Sequence, residues 1–306
     1  MNYASWLDDA WNRHPDDPAG VLADTATTGA ALAADDDAVD GLLRLAHHVA
    51  GAHLGRPEHL AEGRALLARL AGHAAAGEAA RASAALFDRS LALTGGDATV
   101  TADVGEAEAV RVRALAASNL ADRDAPRAGT LLAKAAAAAE RAELSDTDPA
   151  VRALAVAGNN IAAALEELPA RDASMEALML QAAELGLVYW RRAGTWLHEE
   201  RAHYRLALCT LAAGRPALAR HHATACLAIV AREGDTALEA FFGWAALARV
   251  EAAEGQRSGF TAALARQRLA FDRLDQGDRA WCHDTLVQVE ALTAAPAHVS
   301  GPKPTS

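Results

Sequence analysis

The densest set of side chains able to do chemistry lies at 195–235, TWLHEERAHYRLALCTLAAGRPALARHHATACLAIVAREGD. It holds His198, Glu199, Glu200, His203, His221, His222 and Cys226. Glu199 and His203 are four apart, as are His222 and Cys226, so on helices each pair shares a face. Imidazole, thiolate and carboxylate are the donors zinc takes. Glu199, His203, His222 and Cys226 are therefore an outside candidate for a metal site. His198 and His203 are five apart, which is not the HExxH spacing of metalloproteases. Packing and surface histidines are the preferred reading, with no metal and no cofactor.

The other clusters point the same way. His47, His48 and His53 fall on one helical stretch, with His59 and His73 nearby and no paired cysteines. His47 is expected to hydrogen-bond inside its hairpin and His48 to face solvent. In Trp281-Cys282-His283-Asp284, consecutive residues of a helix point in different directions, so they cannot form a triad among themselves. No glycine-rich phosphate loop or GxSxG elbow is present. The expected protein is not an enzyme.

What positions these residues is helix. Aromatic residues make up 5% of the 306 residues while hydrophobic ones make up 52%, so the apolar content is largely Ala and Leu. Both are strong helix formers, whereas strands favour β-branched and aromatic residues. The net charge of -11 disfavours nucleic acid and anionic lipid as partners. The three cysteines, Cys209, Cys226 and Cys282, form no CxxC pair and read as reduced, buried thiols of a cytoplasmic protein. No basic and apolar leader opens the sequence, and no apolar run is long enough to cross a bilayer.

The chain then divides by its breaks. Residues 1–37, rich in Asp, read as an acidic helical cap whose charges sit at turns and helix starts. Residues 38–275 read as repeated hairpins. Gly55-Arg56-Pro57 and Gly214-Arg215-Pro216 are the same break, with Gly to end one helix and Pro to open the next. Asp148-Pro149 restarts the pattern as N-cap and first helical residue. Residues 276–293 read as a capping helix and 294–306 as a disordered tail. The whole is about 13–14 helices, all-α.

Small residues recur in the first helices at Ala116, Gly158, Ala207 and Ala248, and in the second helices at Ala128, Ala219 and Cys226. With Leu206-Ala207, the turn at Gly214, and Trp244, Ala248 and Gly255 in the next unit, the chain resembles the tetratricopeptide repeat (TPR) family over residues 38–275. The resemblance implies a superhelical array of antiparallel hairpins, an α-solenoid, whose first helices line a concave face. It would place Arg113, Asn119, Arg152, Asn159, Asn160, Arg201, Tyr204, Arg205 and Arg249 on or near that face. Asn pairs with peptide donors and acceptors, and Arg grips carboxylates. The implied function is a scaffold or adaptor for a protein or peptide, acidic or presenting a C-terminus. The alternative is a metal- or small-molecule-binding accessory protein using the hairpin at 198–226.

Overall fold

The computed structural model describes residues 2–234 and 236–292, and every regular element among them is helical. The expected tail at 294–306 lies outside the described residues. The chain forms two compact units, Met1–Ala193 and Gly194–Ser306. The sequence shows no linker between them: α11 opens at once on a capping box between Thr195 and His198.

The first unit contains α1 (Tyr3–Arg13), α2 (Pro18–Asp24), α3 (Ala30–Leu32), α4 (Asp36–His48), α5 (Pro57–Ala71), α6 (Glu78–Thr94), α7 (Glu106–Leu120), α8 (Ala125–Arg141), α9 (Pro149–Glu166) and α10 (Ala173–Ala193). The second contains α11 (Trp196–Ala212), α12 (Pro216–Glu233), α13 (Ala237–Ala253), α14 (Arg257–Asp272) and α15 (Gln276–Ala291). In both units, helices pack on their neighbours in sequence and on the next but one, as α7 does on α9 and α13 on α15.

The local chemistry explains the boundaries. Asp35, Asp124, Asp148 and Asp275 each accept a backbone N–H at the start of the helix they precede. Asp36 does more than the expected solvated charge. Its carboxylate accepts from Gly77 N at 2.6 Å and Ala80 N at 3.1 Å, so it caps α6 from a distance in sequence. Gly55 and Gly214 take positive φ, 61° and 69°, where a side chain would be strained, and both end their helices.

The small residues let helices approach. Ala116, Ala128, Ala207, Ala219, Cys226 and Ala248 are all buried. At the crossing of α9 and α10, a Cβ on Gly158 would lie 2.6 Å from the Ala182 carbonyl oxygen and 2.7 Å from Gly186 N. The N-terminal helices share the main core of the first unit. Trp6 is fully buried in one cluster with Leu42, Leu43, Val49, Leu67 and Leu91, each worth about 1.5–3 kcal/mol when buried. In the second unit Phe241, Val230, Leu274 and Cys282 form one cluster, and Ala245, Phe260, Leu264 and Val289 another. All three cysteines are buried, and none is in a disulfide. No helix among the described residues is long and apolar enough to cross a membrane.

Candidate functional site

The first unit holds a groove of about 700 Å³ between the end of α4, α7 and α9. The side-by-side packing of α7 on α9 makes it. Ala114, Ala153, Val156, Ala157 and Ile161 supply an apolar floor, and Val156 is 38% exposed there. The polar rim is divided. Arg111 and Arg152 come from the early turns of α7 and α9, whereas Asp122 and Glu167 lie just past the ends of the same two helices. One end of the groove is therefore cationic and the other anionic.

The residues expected on an inner face meet different fates. Arg152 and Asn160 line the groove and are exposed, and the Arg152 guanidinium lies 5.1 Å from the centre of the Trp190 ring. Asn159 donates to the Asn160 side-chain oxygen at 3.3 Å. Asn119 borders the groove, but its side chain is buried, and its amide donates to Thr94 Oγ1 at 3.1 Å and meets His47 Nε2 at 3.4 Å. Arg113 donates to Thr101 Oγ1. The remaining four lie in the second unit. Arg201 forms a two-pronged pair with the buried carboxylate of Glu239, at 2.6 and 3.3 Å. Tyr204 packs edge-on against Phe242, Arg205 is next to it on α11, and Arg249 donates to Gln288.

Beneath the groove, His47 is buried against the Phe87 ring and bonds to Ser90 Oγ at 3.0 Å. Its partners are therefore on α6 and α7, not inside its own hairpin. Burial, aided by neighbouring His48, pushes His47 down to about 3, so it is neutral at physiological pH.

At the anionic end the helix changes form. After His48 the chain makes a π-helical turn, Val49–Leu54, closed by Gly55 N donating to Ala50 O at 2.9 Å. In a π turn the hydrogen bond spans five residues. His48 and His53, which an α-helix would splay by about 140°, are brought to one side. Their Nε2 atoms are 3.1 Å apart. His14, the C-cap of α1, completes the group from across the unit, with its Nε2 3.1 Å from that of His48. Arg123 donates to the Gly51 carbonyl oxygen within the turn and to Asn119 O. Burial, then His53 and His14, pushes His48 down to about 4, and burial first also lowers His53. The α-period reading hid this cluster, and nothing in the sequence near His14 pointed to it. The one available signal was the five-residue spacing of His48 and His53 within a helical stretch.

In the second unit the outside metal candidate divides. His203 Nδ1 and His222 Nδ1 approach to 3.0 Å, while the Cys226 thiol donates to Glu200 Oε1 at 2.5 Å. Among the described residues, Glu199, His203, His222 and Cys226 do not converge as a metal-ligating set, whereas His14, His48 and His53 do. Glu200 is fully buried, beside Glu239. Burial first, and the neighbouring Glu239 carboxyl next among the groups that raise it, push Glu200 well above the carboxylate range. Burial and Glu200 raise the Cys226 thiol, so it is no ready thiolate.

No family model, curated protein or solved structure matches this chain.

Proposed function

We propose that the first unit is a binding module whose groove takes an extended peptide segment of a protein partner, and that its hairpins, with those of the second unit, are TPR-like repeats serving a scaffold rather than an enzyme. The observation that carries this reading is the groove's make-up: an apolar floor with exposed Val156, flanked by Arg111 and Arg152 at one end. The floor suits apolar side chains of a peptide. The two guanidinium groups suit a carboxylate, from an acidic residue or a chain terminus. Asn160 on the rim offers both a donor and an acceptor to a peptide backbone. Buried small residues at the hairpin crossings and left-handed glycines at Gly55 and Gly214 support the repeat reading. The acidic counter-pole of Asp122 and Glu167 refines the expected partner: its carboxylate should sit at the end nearest Pro149.

The test is an array of acidic peptides with free C-terminal carboxylates, probed with the full chain. Arg152→Glu and Val156→Asp should each reduce capture at least about tenfold, a loss of about 1.4 kcal/mol, with unfolding temperatures close to wild type. Equal capture by wild type and both variants would sink the reading.

A further inference from the structure

Three imidazoles meet in the first unit in a way that hydrogen bonding cannot satisfy. His48 Nε2 lies 3.1 Å from His14 Nε2 and 3.1 Å from His53 Nε2. One ring nitrogen from each of the three histidines lies within 4.8 Å of the other two. A ring nitrogen of neutral histidine carries either one proton or one lone pair. His14 Nδ1 is 2.6 Å from the Trp11 carbonyl oxygen, which only accepts. That nitrogen therefore holds the proton, and His14 Nε2 presents a bare lone pair. If His48 Nε2 donates to His14, it has no lone pair for His53. If it accepts from His53, two lone pairs face one another across the contact with His14. One proton or one lone pair on His48 Nε2 cannot be well directed at both neighbours, whereas a cation at the point of convergence takes a lone pair from each of the three rings.

We infer that His14, His48 and His53 bind a divalent transition-metal ion of the zinc class, each through Nε2. Zinc–imidazole bonds of about 2.0–2.1 Å hold tetrahedral donors about 3.3–3.4 Å apart. The two 3.1 Å pairs are within a small ring rotation of that spacing. The bond from His14 Nδ1 to the Trp11 carbonyl is the outer partner that metal-bound histidines use to fix tautomer and orientation. Trp11 also packs against the rings of His14 and His48, both at 5.3 Å between centroids, which restrains them. The π turn supplies the second restraint by setting the His48 and His53 rings edge to face, 4.8 Å between centroids. An all-imidazole donor set suits Zn2+, Ni2+ or Cu2+ and not Ca2+ or Mg2+, which take oxygen. Three protein ligands leave the fourth position of a tetrahedral ion to water or to a donor from another molecule. His48 and His53 also line the groove, but the assignment rests on the three imidazoles and not on what the groove binds.

The experiment uses the untagged full chain, stripped with a chelator and titrated with Zn2+ by calorimetry and with Co2+ by visible absorption. One equivalent should bind, with the intense absorption of tetrahedral Co2+. His48→Ala and His53→Ala should each weaken binding by more than about a hundredfold, beyond what loss of an outer partner costs. His53 is exposed, so its removal tests the ligand without disturbing the core. The His203→Ala, His222→Ala double variant should bind as wild type does. No binding heat, a Co2+ spectrum of the hydrated ion, or binding that survives His53→Ala but fails in the double variant would each overturn the assignment.

Discussion

Acid should loosen the first unit through His47, and the amount is set by its surroundings. The ring is buried between Phe87, Ser90 and Asn119, with His48 as its neighbour along the helix. Its folded value is depressed to about 3, against 6.5 when solvated. Between these values the unfolded chain binds the proton and the folded chain does not, so stability falls as pH falls. Going from pH 7.5 to pH 5 removes about 2 kcal/mol through this one group, and the loss grows by about 1.4 kcal/mol per further unit until the folded value is reached. His48 acts in the same direction, so the informative quantity is the difference between wild type and His47→Gln. Glutamine keeps a polar partner for Ser90 but does not titrate. Urea unfolding at both pH values, tracked by fluorine NMR of fluorotryptophan at the buried Trp6, reports on this unit. Wild type should lose about 2 kcal/mol more than His47→Gln on acidification. An equal loss in both proteins would refute the neutral, buried histidine.

The second unit should respond in the opposite sense. Glu200 is raised, so its stabilisation is present at low pH and is lost as pH climbs past the ordinary carboxylate value; Glu200→Gln should raise the melting temperature at pH 8.5 and have less effect at pH 5. Gly158→Ala should destabilise the first unit by about 1–3 kcal/mol in a denaturant melt, because the added methyl meets backbone of α10 that cannot move aside. Gln267 is fully buried, and neither polar atom of its side chain has a hydrogen-bond partner among the described residues. Gln267→Met should therefore hold or raise stability by up to about 2 kcal/mol, measured by the same melt.

The helical class and the hairpin breaks were legible because they rest on local chemistry. Gly55 and Gly214, the Pro residues two positions after them, and the capping Asp148 act within a few residues of themselves. Of the positions the resemblance implies on α7 and α9, Arg152 and Asn160 lie beside the groove. Whether such a side chain is available is not local. Asn119 is engaged by Thr94 and Arg201 by Glu239, partners 25 and 38 residues away. Reversing the charge of Arg201 would therefore leave Glu239 unpaired next to buried Glu200 and unsettle the core of the second unit, so it is a poor probe of binding. The histidine cluster was hidden twice over: by the 34 residues between His14 and His48, and by a turn that does not keep the α period.

That turn also fixes how the chain tolerates changes of length. A π turn holds one residue more than the α turn it replaces, without passing the extra residue on as a rotation. An α-helix of the same length would rotate everything after Leu54 by about 100°. Gly55, the break at Arg56-Pro57 and the start of α5 thus take their aim from this one turn, and α5 carries Leu60, Leu66, Leu67 and Leu70 into the core. The stretch beside the break looks like a loop edge, where insertions are ordinarily cheap. Here a single added or deleted residue re-aims a core helix, so Val49–Leu54 behaves as a gauge that sets the phase of α5.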